Sequence, residues 1–254
     1  MTNWEDYTIS HAHSLRTLQI LDNFDDFKRS VKNLVDIGAG KGLDAKFWAD
    51  MRDVPNEDGT PGRLLNIKCT AVDLKNYMEE PIPRNLDFTG HDFNSGPFPF
   101  GKKKFDVAWC HGSLQYAHSP IQVLGNINNI MNKNGMLYLC VPMTVNNAYN
   151  KFENYTPAKF LNTFTLTQII YYIALNGFDC KDAYFNKPPN EDAIEVLTYK
   201  NTKPFDYTTT WYDLVEKDIF NENMTSIIMN KGYLTNQGLV TKWIDGNVQD
   251  FTWH

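Results

Sequence analysis

The stretch NLVDIGAGKGLDAKFW, Asn33 to Trp48, constrains the fold more than any other part of the chain. A short, largely apolar run is cut off by three glycines in five residues, Gly38, Gly40 and Gly42. An apolar run ended in this way suits a strand buried on both faces. The segment that follows, LDAKFWADMRD, reads as a helix. Strand, glycine turn and helix together form the unit from which parallel α/β sheets are built.

The rest of the sequence repeats that alternation. IKCTAVDL, LDFTGHDF and KFDVAWCHG read as second, third and fourth strands, and GMLYLCVP as a fifth closed by Pro142. SPIQVLGNINNIMNKNG puts Ile121, Leu124, Ile127 and Met131 on one helical face, with Gly135 as its stop. TLTQIIYYIALNGF is a helix ending at Gly177, and FDCKDAYF and AIEVLTY are strands whose connection, NKPPNED, suits a hairpin. Ahead of the glycine turn, residues 14–31 place Leu15, Leu18, Leu21, Phe24 and Phe27 at helical spacing, with Ser14 available as N-cap. The order is β-α-β-(α)-β-β-α-β-α-β-β, the bracketed helix being optional. The expected fold class is α/β: a mostly parallel, seven-stranded, doubly wound sheet with an antiparallel C-terminal hairpin strand. Three regions follow: an N-terminal helical segment (1–31), a ligand-binding α/β domain (32–200), and a C-terminal extension (201–254) with two short helices and a tail. The extension reads as a lid or a dimerisation element, so a homodimer stays open.

Composition narrows the class of partner. The net charge is −6 over 254 residues, and the acidic balance argues against a phosphate-neutralising surface. Lys102, Lys103 and Lys104 form one short basic run, read as a solvated turn. The four cysteines, Cys69, Cys110, Cys140 and Cys180, lack C-x-x-C spacing and lie in apolar runs, which fits buried free thiols in a reducing compartment. No basic-then-apolar leader and no membrane-length apolar stretch is visible, so a cytoplasmic location is expected.

The glycines decide the ligand. A dinucleotide fingerprint would need a third glycine where Leu43 stands, and Lys41-Gly42-Leu43 does not complete a Walker loop. An acid at the strand end, Asp36, would repel a pyrophosphate but can accept hydrogen bonds from an ammonium group. Glycines let the backbone approach such a ligand with no β-carbon in the way. Asp36-x-Gly38-x-Gly40-x-Gly42 resembles the motif that opens class I, Rossmann-like, S-adenosylmethionine-dependent methyltransferases. Further matches to that family follow. Asp73 ends the second strand, where an acid can take the ribose hydroxyls, and Leu74 is next to it. Asp92 resembles the family's third-strand acid, which accepts from the adenine amino group, with Phe93 beside it. SLQYAHSPIQVLGNINNIMNKNGMLYLCVP is similar to the small-molecule (type 11-like) branch between its fourth and fifth strands, with Asn134 in place of the first glycine of a pair. LNGFDC matches the family's helix-Gly-Phe-strand junction.

The resemblance implies S-adenosyl-L-methionine as cofactor, with S-adenosyl-L-homocysteine as product. It implies a cofactor site made of Asp36, Gly38, Ala39, Gly40, Gly42, Asp73, Leu74, Asp92, Phe93 and His111. Methyl transfer from a sulfonium is an in-line displacement in which positioning supplies much of the acceleration. A general base matters when the acceptor is a hydroxyl or a protonated amine. His111, at the end of the fourth strand, is the first candidate for that role or for acceptor positioning. His118 is the second, although the family's frequent histidine falls at Tyr116. His91 is read as an ordinary turn contact. His11 and His13 lack a third ligand of matching spacing, so no metal is expected. Trp4, Tyr7 and Trp109 are candidate aromatic faces for the sulfonium or adenine, and Tyr149, Phe152 and Tyr155 are candidates for the acceptor wall. The chain lacks the [DNS]-P-P-[YF] of amino-methylating DNA enzymes and the proline–cysteine of cytosine-C5 enzymes. A small-molecule or glycan-like acceptor is therefore expected. The alternatives are a nucleic-acid methyltransferase, a non-catalytic binding protein with the same fold, and a nicotinamide-linked oxidoreductase, which Leu43 disfavours.

Overall fold

The computed structural model describes residues 30–52, 62–143, 161–186 and 193–233, and the backbone of 237–242 and 248–252. Residues 1–29 of the N-terminal helical segment, with Trp4, Tyr7, His11 and His13, lie outside the described residues, as do Tyr149, Phe152 and Tyr155.

Seven strands form one sheet: β1 (Asn33–Ile37), β2 (Lys68–Asp73), β3 (Leu86–Gly90), β4 (Phe105–His111), β5 (Met131–Pro142), β6 (Tyr184–Asn186) and β7 (Ala193–Tyr199). Their spatial order is β3-β2-β1-β4-β5-β7-β6. The first five are parallel, and β7 runs antiparallel to both β5 and β6. This is the fold class expected from the sequence. The order reverses between β1 and β4, and the carboxyl ends of those strands flank the crevice where such sheets bind ligands.

Alternating side chains of each strand enter two cores. Val35, Ile37, Ala108, Cys110, Leu137 and Leu139 face one side, with α2 (Pro120–Ile130) and α3 (Leu166–Leu175) packed on them. Leu34, Ala71, Val107, Trp109, Met136 and Tyr138 face the other, covered by Phe47 and Trp48 of α1 (Leu43–Ala49). Caps set the helix starts: Ser119 accepts the Gln122 N–H ahead of α2, and Thr165 and Gln168 form a reciprocal capping box on α3. Two C-terminal helices, α4 (Trp211–Glu216) and α5 (Glu222–Lys231), send Leu214, Met224 and Ile228 into the first core. A separate hairpin, β8 (Gln237–Lys242) with β9 (Val248–Thr252), stands where a plain tail was expected.

Several boundaries differ from the sequence reading. The helix before β5 stops at Ile130 and not at Gly135; the left-handed residue of the turn is Asn134, at φ 59°. The third strand ends at Gly90, which leaves His91, Asp92 and Phe93 beyond it in a loop. The sixth strand is limited to Tyr184–Asn186, because Phe178 and Cys180 instead bridge Lys200 and Phe220. The optional helix between β2 and β3 is absent among the described residues: residues 74–85 are a non-helical loop with a cis Glu80–Pro81 bond. Lys102, Lys103 and Lys104 precede β4, at the opposite end of the sheet from the glycine turn. Lys103 there donates to the Thr70 hydroxyl at 3.1 Å.

Candidate active site

The glycine turn is held from below. The Gly38 and Ala39 N–H groups both donate to the Val72 carbonyl of β2, at 2.8 and 3.0 Å. Gly38, Gly40 and Gly42 all take positive φ, at 72°, 52° and 68°. Their surroundings separate two roles. A β-carbon on Gly38 would lie 2.2 Å from the Ser113 Cβ, and one on Gly42 would meet the Met78 side chain at 2.7 Å. A β-carbon on Gly40 would meet nothing within 4 Å. Two glycines are therefore required by the protein's own packing, and the third faces open space. A ligand could come close to the backbone at Gly40.

Acids surround that opening. Asp36, next to last in β1, is only 3% exposed and accepts the Ala45 N–H at the start of α1. Burial pushes its carboxyl well above the ordinary range, and the nearby Asp44 and Asp73 push it further. Asp73 accepts the Gly40 N–H at 2.8 Å through Oδ2 and the Leu74 N–H at 2.6 Å through Oδ1. Those bonds fix the carboxylate plane and leave further lone pairs on each oxygen. Leu74 is 64% exposed beside it, an apolar surface in reach of solvent. The loop after β2 closes the same side, with Lys46 donating to the Glu79 carbonyl and Lys41 paired with Glu79 at 3.0 Å.

Asp92 is exposed and closes an Asx turn by accepting the Asn94 N–H at 2.8 Å. Phe93 packs partly buried against the first core. His91 places its ring 5.4 Å from that of Phe98, and its N–H donates to the Asp73 carbonyl at 2.9 Å.

His111 ends β4 with its Nδ1 3.4 Å from Asp44 Oδ2 and its ring edge-on to Tyr138. The β4–β5–β7 register sets His111 opposite Cys140 and Cys140 opposite Glu195. Tyr138 donates to Glu195 at 3.1 Å; burial and the charges of Cys140 and Glu195 push its hydroxyl pKa up. His118 is exposed, and its N–H donates to Asn94 Oδ1 at 2.8 Å. Trp109 stacks on Tyr138 at 3.8 Å and is fully buried in the second core, so it offers no face to a ligand.

The sequence-selected residues divide into two groups. Asp36, Gly38, Ala39, Gly40, Gly42, Asp73 and Leu74 come together around one opening. His111 joins them through Asp44, while Asp92, Phe93 and His118 lie on the neighbouring loops. Ser113, Asp44, Met78 and Asn94 were not singled out from the sequence. Among these, Asp44 alone had a local signal, as an acid in the first turn after the glycines. Among the described residues no group of three metal-ligating side chains occurs, and no helix is long and apolar enough to cross a membrane.

The sequence profile of a family described as Methyltransferase domain matches residues 11–181. No curated protein sequence matches the chain. Solved structures share its fold. A candidate methyltransferase from Bacillus halodurans C-125 superposes with a TM-score of 0.51 at 14% identity, over 71% of this chain and 98% of that one. A candidate methyltransferase complexed with the Haloferax volcanii Trm112 methyltransferase activator gives 0.52 at 13%, over 80% and 100%. The plantazolicin methyltransferase BpumL, in complex with SAH, gives 0.53 at 12%, over 78% and 88%.

Proposed function

The chain belongs to the methyltransferase-domain family, and on that premise we propose that it transfers a methyl group from S-adenosylmethionine to a small-molecule or glycan-like acceptor. The observation that carries the cofactor assignment is the open space at Gly40, whose N–H is held by the Asp73 carboxylate. S-adenosylmethionine brings an ammonium and a sulfonium against one carboxylate, a net positive ligand for an acid-lined site. A pyrophosphate would meet the carboxylates of Asp44 and Asp73 with the wrong sign.

When bound, the cofactor supplies an activated methyl carbon: the acceptor lone pair forms the new bond, the carbon–sulfur bond breaks, and the electron pair stays on sulfur. The protein's part is placement. Asp36 takes the ammonium, Asp73 the ribose hydroxyls, Leu74 and Phe93 the faces of the adenine, and Asp92 its amino group. The backbone of Gly38, Ala39, Gly40 and Gly42 lines the methionine arm. His111 stands on the acceptor side. Its Nδ1 lies 3.4 Å from Asp44 Oδ2, a contact that orients the ring for positioning the acceptor or for taking its proton. His118 is held by its backbone and serves as a second acceptor-positioning group. Residues 201–254 serve as a lid or dimerisation element, of which α4 and α5 pack on the first core.

The acidic balance and the placement of Lys102, Lys103 and Lys104 away from the glycine turn support a small acceptor over nucleic acid. The test is the melting temperature with S-adenosylmethionine, S-adenosylhomocysteine and NAD, in the wild type and Asp73→Ala. A ligand at a hundred times its dissociation constant adds about 2.7 kcal/mol. Stabilisation by the adenosyl ligands that vanishes in the variant is expected, and stabilisation by NAD alone would overturn the reading. Transfer of a radiolabelled methyl group to an acceptor panel then identifies the substrate class.

A further inference from the structure

The loop after β4, residues 112–118, is tied to three other parts of the molecule. At its start the Ser113 hydroxyl donates to the Ile37 carbonyl at 2.7 Å, beneath the glycine turn. In its middle the Gln115 carbonyl accepts the Leu161 and Asn162 N–H groups at 3.0 and 3.1 Å. Asn162 returns a bond from Nδ2 to the Ala117 carbonyl at 2.7 Å. The third tie is Asn94. Its Nδ2 donates to the Tyr116 carbonyl at 3.2 Å, and its Oδ1 accepts the His118 N–H at 2.8 Å. Its own backbone N–H closes the turn on Asp92.

We propose that Asn94 is a positioning residue that couples occupancy of the cofactor site at Asp92 to the conformation of loop 112–118. The inference rests on the cofactor reading given above. The Asn94 amide carries both the donor and the acceptor with which it grips a carbonyl and an N–H of the same loop at once. A ligand that bonds Asp92 restrains the Asx turn that sets Asn94. Asn94 in turn fixes the backbone of Tyr116 and His118, and the loop carries that order to residues 161–162 on its far side. Binding that pre-orders a second site lowers the ordering cost for the next ligand without any contact between the two. The cofactor therefore shapes the acceptor side, and by reciprocity an acceptor that orders this loop strengthens cofactor binding.

Hydrogen exchange on the full chain, with S-adenosylhomocysteine as probe, tests this. In the wild type, saturating probe is expected to slow exchange about tenfold both in residues 36–42 and in residues 112–118. In Asn94→Ala the protection of 36–42 should persist, while the added protection of 112–118 and 161–165 falls below about twofold. Asn94→Asp keeps the acceptor for His118 and loses the donor to Tyr116, so it should retain an intermediate protection. It decides the matter if Asn94→Ala does not fold. Loop protection that survives in both variants overturns the proposal. So does its loss together with protection of 36–42, which would make Asn94 part of the cofactor pocket itself. Failure of the wild type to bind the probe shows up separately, as absent protection of 36–42, and overturns the cofactor reading and this inference with it.

Discussion

The Cβ of Ser113 occupies the space that a side chain on Gly38 would need: a β-carbon built on residue 38 falls 2.2 Å from it. The same serine donates to the Ile37 carbonyl and lies 3.1 Å from the Cys110 thiol. The first ligand-binding turn and the loop after β4 are thus packed as one piece. Gly38→Ala should cost about 2–4 kcal/mol, part from the left-handed backbone and part from the clash. Ser113→Gly should recover the clash portion in the double variant, a non-additivity that denaturant titration measures.

Gly40→Ala is the contrasting case. With nothing within 4 Å of the added carbon, only the positive φ opposes it, at about 1–2 kcal/mol. The methyl group would stand where the cofactor backbone approaches. We expect a small loss of melting temperature with at least a tenfold loss of S-adenosylhomocysteine affinity, measured by isothermal titration calorimetry. Equal losses in both would mean that the open space is not the ligand's.

Under the proposed function Asp73 serves the fold and the ligand together. Replacing it with Ala frees the Gly40 and Leu74 N–H groups and removes the acceptors for the ribose. Charge-assisted hydrogen bonds contribute about 1.5–3 kcal/mol each, so losing two should weaken the adenosyl ligand by two orders of magnitude or more. Asp73→Asn retains one acceptor oxygen and should fall between.

The mostly parallel α/β class, the strand cores and the glycine turn were legible because each leaves a one-dimensional trace: apolar runs, helical spacing, and a loop of glycines with an acid before it. What escaped was lateral. Ser113 and Asn94 are ordinary polar residues in sequence, and their importance comes from facing Gly38 and Tyr116 across the turn. The helix ends at Ile130 because Met131 already takes extended backbone, so the glycine four residues further on was a poor guide to the stop. Trp109 read equally well as a ligand face or as core, and only its stacking on Tyr138 settles it as core.

The thiols give a check on the interior. All four are free and buried, and burial is the largest cause raising Cys69, Cys110 and Cys180, with Cys110 pushed up to about 12. A buried, protonated thiol is a poor nucleophile. Native protein at pH 8 should leave these thiols unmodified by Ellman's reagent over minutes, and all four should react once the chain is unfolded. Rapid reaction of even one in the native state would contradict the packing.

Asp36 gives the pH dependence, and Asp44 tunes it. The folded pKa of Asp36 stands above its ordinary 3.8, chiefly from burial and then from Asp44. The stability linked to this group is fully present below about pH 4 and is lost as pH rises through the raised value. An ammonium bound beside Asp36 favours its charged form, so adenosyl ligands should bind with release of a proton below the raised pKa. Their affinity should climb with pH and then level off. Asp44→Asn removes one of the negative charges that hold the Asp36 proton. That variant should release fewer protons at the same pH and move the climb to lower pH, while Asp36→Asn should abolish it. Calorimetric titrations of S-adenosylhomocysteine in buffers of different ionisation enthalpy read the proton count directly. A wild type that takes up no buffer signal between pH 4 and 7 would mean that Asp36 stays charged in the unliganded fold. The acid pair at the end of β1 and the start of α1 would then have to be balanced by a cation from another part of the chain.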